Sequence, residues 1–134
     1  MKFSFYILAI VFVFSACSFE PEPIKYGKDH CHFCQMTIVE QAYSAQLVTD
    51  KGKQYKYDAI ECLVNDMNQR EYQTSFLLVS NYDKPGNMLP VSDAGFVQND
   101  SLRSPMGANL AAVKKESRDS GELQDWEELK NNFK

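Results

Sequence analysis

The chain has 134 residues, which is enough for one small domain together with a leader or a tail. Its formal net charge is −4, and its 14 basic residues are spread along the chain instead of forming a patch, which argues against binding to nucleic acid. The hydrophobic fraction of 44% is that of an ordinary globular protein, so a folded domain is expected.

The first residues have the pattern of a secretory leader. Lys2 supplies a positive charge, and the apolar run over residues 5–14 is too short to span a bilayer as a finished helix. Small residues then precede Cys17, as in a bacterial lipoprotein signal. The sequence therefore predicts a signal peptide over residues 1–16, a lipid on Cys17 and an extended tether over residues 17–28. The alternative is a signal anchor in which Cys17 has no role.

This leader predicts where the mature protein works. The protein is expected outside the cytoplasm, held by its N-terminal lipid on a bacterial membrane, at the periplasmic or the outer-membrane face.

Residues 29–134 are predicted to form one α+β domain of small antiparallel strands and few helices. An i, i+3, i+4, i+7 apolar stripe predicts a helix over residues 59–70, and a short closing helix is predicted to start at Trp126. Apolar alternation or short apolar runs, bounded in places by turn residues, predict strands over residues 43–49, 54–57, 75–80, 94–98 and 109–113.

Both predicted helices have candidate capping residues at their starts. Asp58 and Glu61 have the spacing of a capping box before the first helix, and Asp125 is a candidate N-cap for the second. Cys62 lies about 160° around the first helix from Ile60, so it is expected outside the apolar stripe.

Residues 29–36 (DHCHFCQM) concentrate soft-metal ligands, including both histidines of the chain. Three cysteines remain besides Cys17, so at least one thiol is free, metal-bound or paired with another chain. Cu(I) favours thiolate and thioether ligands, whereas zinc has little use for thioether. Met36 therefore favours Cu(I), with Cys34 as the thiolate ligand.

Two other interpretations of this segment remain open. Cys31 and Cys34 form a C-x-x-C pair that is compatible with a thiol–disulfide oxidoreductase. Alternatively, Cys31, Cys34 and Cys62 with one histidine are compatible with structural zinc. Outside the segment, Met106 lies in a Pro-Met-Gly turn and is either a ligand or a packing residue. Further candidate ligands are His30 and His32.

Several motifs in order resemble the NosL family, the copper-binding accessory lipoproteins of nitrous oxide reductase maturation. Residues 31–38 (CHFCQMTI) resemble its C-x-x-C-G-M-x-I/V signature, with Gln35 in place of the usual glycine. Residues 57–62 (YDAIEC) are similar to its Phe-Asp-containing helix start. Residues 104–107 (SPMG) and the closing residues 126–129 (WEEL) also match. The leader also matches, and the similarity of the domain extends over residues 28–130.

The resemblance implies a fold of two related ββα-type halves, similar to the organomercurial-lyase fold. It also implies a chaperone without catalytic activity that binds Cu(I) and delivers it to an extracytoplasmic copper enzyme, nitrous oxide reductase or its maturation machinery being the expected partner. The implied ligands are Cys34, Met36 and Met106, with Cys31, His30 and His32 as auxiliary candidates.

Overall fold

Two antiparallel sheets and two α-helices make up residues 19–134, the part of the chain that this computed structural model describes. The larger sheet has the strand order β2-β1-β3-β4, and the smaller sheet pairs β5 with β6. The elements are β1 (Ala45–Thr49), β2 (Gln54–Tyr57), α1 (Ile60–Gln69), β3 (Thr74–Ser80), β4 (Met88–Pro90), β5 (Ala94–Gln98), β6 (Leu110–Lys114) and α2 (Trp126–Asn132). The predicted signal peptide and Cys17 lie outside the described residues.

The order strand, strand, helix occurs twice, as β1-β2-α1 and as β5-β6-α2. In each case the two strands are antiparallel neighbours, and the helix contacts a strand of its own pair. The turn between β1 and β2 contains Gly52 at φ 81°, a conformation that costs glycine little. The predicted α+β fold of antiparallel strands is confirmed.

The predicted apolar stripe of α1 is buried against β1 and β2. Ile60, Leu63 and Val64 are fully buried. Cys62, which was expected outside the stripe, is also buried, with 1% of its surface exposed. The reason is a second covering layer, because Cys31 and Ile38 from the preceding loop belong to the same core cluster as Cys62.

The predicted capping box of α1 is wrong, whereas the N-cap of α2 is confirmed. The N-cap of α1 is Ala59, and no side chain caps this helix end. Asp58 lies one residue too early, and the Glu61 carboxylate turns instead towards Ser104. At α2, the Asp125 side chain accepts a hydrogen bond from the Glu128 N–H, and the Glu128 carboxylate accepts one from the Asp125 N–H.

Strand β4, Met88–Pro90, is not among the strands predicted from the sequence. The strand has only three residues, and it pairs Leu89 with Val79 of β3. Three residues are too few for an alternating pattern to be recognised.

Neither helix among residues 19–134 is long and apolar enough to cross a membrane.

The described part of the predicted tether, residues 19–28, lies along the β1–β2 hairpin. The Gln46 side-chain amide donates to the Glu22 carbonyl over 2.8 Å, and Ile24 and Tyr26 pack against the core. These contacts explain why Gln46, on the strand face opposite Leu47, is 2% exposed.

Candidate metal site

Residues 30–37 form a tight hairpin, called here the cysteine loop. The Cys31 N–H donates to the Met36 carbonyl over 2.8 Å, and the Gln35 N–H donates to the Cys31 carbonyl over 3.0 Å. A bridge between His30 and Thr37 closes the base of the loop. The loop thus carries three sulfur side chains in order of exposure, from buried Cys31 through half-buried Cys34 to Met36, which is 52% exposed.

Three thiols converge at this loop. The Sγ atoms of Cys31, Cys34 and Cys62 all lie within 4.8 Å of one another, and all three cysteines are free. A trigonal ion with metal–sulfur bonds of about 2.3 Å holds its sulfur atoms about 4 Å apart. The three-sulfur cluster is therefore close to the geometry of a trigonal thiolate site.

The cluster distributes one negative charge unevenly among its sulfurs. A hydrogen bond from the Cys62 thiol and backbone N–H groups lower the pKa of Cys31 to about 5, against the opposing effect of burial. Burial raises the pKa of Cys34, and the hydrogen bond to Cys31 raises the pKa of Cys62. The pKa of buried Asp58 is raised by burial and by the Cys31 charge. The cluster therefore favours the thiolate form at Cys31, with the Cys62 thiol as its hydrogen-bond donor.

The two histidines do not join the three-sulfur cluster. Within residues 19–134, no imidazole or carboxylate atom belongs to this group. The His32 ring packs against Tyr55 at a tilt of 44°, with centroids 4.3 Å apart. Its Nε2 lies 3.9 Å from Asp66 Oδ2 and 3.4 Å from the Arg70 guanidinium. His30 is exposed. Their predicted auxiliary role in metal binding stays a prediction.

Met106 lies in an exposed turn that is fastened to the first turn of α1. Its side chain is 45% exposed. The hydroxyl of Ser104 donates to Glu61 Oε1, and the Ala108 N–H donates to the same oxygen over 3.3 Å. Glu61 directly precedes Cys62, so this carboxylate connects the Met106 turn to the helix end that carries a cysteine of the cluster. That Met106 is a ligand stays a prediction.

The NosL family model matches residues 23–123, which is well over half of the chain. The chain belongs to the NosL family. The crystal structure of the copper chaperone NosL from Shewanella denitrificans has the same fold, with a TM-score of 0.66 and 21% sequence identity. The similarity covers 83% of this chain and 96% of that one. No curated protein matches the sequence.

The sequence brings Cys62 together with Cys31 and Cys34 only under the zinc interpretation. In this member of the NosL family the three thiols do come together, but without a histidine. The available signals were the odd number of cysteines and the position of Cys62 at the end of the motif over residues 57–62. Helical periodicity did not reveal the burial of Cys62, because the periodic apolar pattern marks only one face of α1. The cysteine loop covers a different face, where Cys62 lies.

Gln35, at the position where the NosL signature usually has glycine, lies in the left-handed region with φ 66°. Its side-chain amide donates to the His32 carbonyl over 2.8 Å. Both Gln35→Gly and Gln35→Ala remove this bond, but only alanine keeps a Cβ in the left-handed region. We expect Gln35→Gly to be more stable than Gln35→Ala by about 1 kcal/mol. Urea denaturation measures the difference, and equal stabilities would contradict the observed φ.

The uneven charge predicts how metal affinity depends on pH. Above about pH 5 the Cys31 proton is already lost, while Cys34 and Cys62 still hold theirs. Binding of a metal ion to all three sulfurs near neutral pH should release two protons, so affinity should rise about 100-fold for each pH unit. Affinities measured at several pH values test this. A tenfold rise would indicate that only one of these thiols loses its proton, and a pH-independent affinity would contradict thiolate binding.

Proposed function

We propose that this chain is a metallochaperone that binds Cu(I) outside the cytoplasm and passes it to a copper enzyme. The three-sulfur cluster is the observation that carries the proposal, because its donors are thiols and Met36 follows Cys34 on the same loop. Cu(I) is the physiological ion that best suits a few soft sulfur donors.

Zinc fits the same residues less well. A structural zinc site is closed and tetrahedral, with four cysteine or histidine ligands. The cluster supplies three thiols and no histidine, because His32 packs against Tyr55 beside Asp66 and His30 is exposed. The partial exposure of Cys34 also leaves one side of the site open.

Cys34 occupies a special position among the proposed ligands. It belongs to the three-sulfur cluster, and it is also the thiolate of the predicted ligand set with Met36 and Met106, called here the exposed set. We infer that the cluster retains the ion and that the exposed set presents it to a partner. A ligand of the partner can then add to the ion on its open side and replace the sulfurs one at a time, without any change in the oxidation state of copper.

A redox function for Cys31 and Cys34 is less compatible with the geometry. A thiol–disulfide oxidoreductase needs an accessible sulfur with a lowered pKa as its nucleophile. Here the lowered pKa belongs to Cys31, which is fully buried, and the more accessible Cys34 has a raised pKa. We therefore propose that the protein is not an enzyme.

The proposed partner and location rest on the predicted leader and on the family resemblance. A lipid on Cys17 is proposed to hold the protein on a bacterial membrane, at the periplasmic or the outer-membrane face. The proposed client is an extracytoplasmic copper enzyme, and nitrous oxide reductase is the one that the family resemblance implies. The copper chaperone named above, which shares this fold, supports the copper-chaperone part of the proposal.

An anaerobic titration tests the proposed function. The reduced protein is mixed with Cu(I) and a competing chelator, and the same experiment is repeated with Zn²⁺. One Cu(I) per chain and a clear preference over zinc are expected. Failure to bind stoichiometric Cu(I), or tighter binding of zinc in a four-coordinate site, would overturn the proposal. Insulin reduction serves as the control for redox activity, and no turnover is expected.

A further inference from the structure

The N-terminal segment is fastened to the β1–β2 hairpin from the first residue described. The ring of Phe19 lies against Gly52 so closely that a Cβ on Gly52 would be 2.4 Å from Phe19 Cδ1. The next residue, Glu20, accepts a hydrogen bond from the Gln54 side chain over 3.1 Å. The segment is thus held at the turn of the hairpin, where the chain enters the domain.

Further hydrogen bonds make this attachment part of the fold. The Glu22 N–H donates to Gln54 Oε1 over 3.2 Å, and the Gln46 side-chain amide donates to the Glu22 carbonyl and to Gln54 Oε1. The Lys56 ammonium donates to the Pro23 carbonyl over 3.2 Å. Because Gln46 is 2% exposed, releasing the segment would uncover a buried amide and its partners.

The attachment shortens the reach of any lipid on Cys17. Two peptide steps separate Cys17 from Phe19, and an extended chain spans at most about 3.6 Å per residue, so the anchor lies within about 7 Å of Phe19. A free tether over residues 17–28 would instead reach about 40 Å. The bilayer surface must therefore come close to the Gly52 turn.

The surface at this turn suits the interfacial region of a bilayer. The Phe19 ring is 42% exposed, and Lys51 and Lys53 are exposed on either side of Gly52. Asp50 and Glu20 are also exposed there, so the net charge is balanced. An aromatic ring with flanking lysines suits the headgroup region, and the covalent lipid supplies the attraction.

We propose that the Gly52 turn, with Phe19 and its flanking lysines, is a membrane-facing surface, and that it gives the lipid-anchored domain a fixed orientation on the bilayer. This inference rests on the lipidation of Cys17 that is part of the proposed function. The occupant of the surface is the lipid headgroup layer itself.

The orientation determines where the metal site points. Strand β2 runs from the turn towards Asp58, and the His32 N–H donates to the Lys56 carbonyl near its far end. Four peptide steps separate Gly52 from Lys56, which corresponds to about 14 Å of extended chain. The cysteine loop therefore lies at the end of the hairpin away from the membrane, where a soluble or extended partner can reach it.

Accessibility measurements on the full-length lipoprotein in phosphatidylcholine vesicles test the orientation. A spin-labelled unnatural amino acid is placed at position 51, and the matched control places it at exposed position 39, next to the cysteine loop. The label at position 51 is expected to collide mainly with a lipid-soluble relaxant, and the label at position 39 mainly with a water-soluble one. Equal accessibility at both positions would overturn the proposal. The difference in accessibility between the two labels should be the same in vesicles with anionic lipid, because the covalent anchor supplies the attraction to the bilayer.

A released variant and an independent check of the anchor complete the experiment. Gln54→Ala removes the side-chain contacts to residues 20 and 22, and it should reduce the contrast between the two labels at least about twofold while the lipid stays attached. Gln69→Ala, an exposed glutamine of α1, is the control. If Gln54→Ala does not fold, the wild-type comparison alone decides. Mass spectrometry of the N-terminus and a Cu(I) titration on the same vesicles separate failure of this orientation from failure of lipidation or of metal binding.

Discussion

Replacing Cys34 with serine is expected to weaken Cu(I) binding about 100-fold or more, which corresponds to about 2.7 kcal/mol or more. Cys34 belongs to the three-sulfur cluster and also to the proposed exposed ligand set with Met36 and Met106. A serine hydroxyl is a hard, neutral donor and replaces a soft thiolate poorly. Both arrangements therefore lose their common ligand.

The matched variants distinguish the two sets of sulfurs. Cys62→Ser removes a sulfur from the buried cluster only, and Met106→Leu removes one from the exposed set only. Each is expected to cost about tenfold, less than Cys34→Ser, because one complete set remains. The measurement is anaerobic competition with a Cu(I) chelator. An unchanged affinity in the double variant Cys34→Ser, Met36→Leu would show that the site is wrongly assigned.

Replacing Asp66 with alanine is expected to destabilise the fold by about 3–5 kcal/mol. Asp66 is fully buried near the end of α1. Its carboxylate accepts hydrogen bonds from the Tyr57 hydroxyl over 2.7 Å and the Tyr72 hydroxyl over 2.8 Å, and it pairs with the Arg70 guanidinium. Alanine leaves a buried tyrosine hydroxyl without its acceptor and opens a cavity between β2 and α1.

Two comparisons make this prediction specific. Asp83 has an exposed side chain paired with Arg118 over 3.4 Å, and Asp83→Ala should change stability by less than about 0.5 kcal/mol in urea denaturation. Under conditions where Asp66→Ala stays folded, its Cu(I) affinity should remain within a few-fold of wild type, because the network holds His32 and not the sulfurs. A cost below about 1 kcal/mol for Asp66→Ala would contradict the structural role of the network. A large loss of Cu(I) affinity would indicate that His32 is a ligand.

The regular elements could be predicted because their patterns are local. The apolar stripe of Ile60, Leu63 and Val64 repeats at the helical period, so it predicts a helix with one buried face. The five predicted strands match observed strands to within a few residues. The capping residue Asp125 was equally visible, because a capping box involves only neighbours in sequence.

The rest depends on contacts between distant segments. Glu61 was expected to cap its own helix, but it bonds to Ser104, which lies 43 residues away. Cys62 was expected outside the core because no local pattern reveals that the cysteine loop covers that side of α1. The same holds for residues 19–28, whose composition suggests a free tether although Gln46 and Gln54 bind them.

The most direct test of a sulfur-bound Cu(I) is X-ray absorption spectroscopy at the copper edge of the reduced, copper-loaded protein. We predict a Cu(I) edge and a shell dominated by two or three sulfur neighbours at about 2.3 Å. The Cys34→Ser variant should lose sulfur from this shell. A shell dominated by nitrogen or oxygen, or an unchanged sulfur shell in Cys34→Ser, would contradict the assignment of the site.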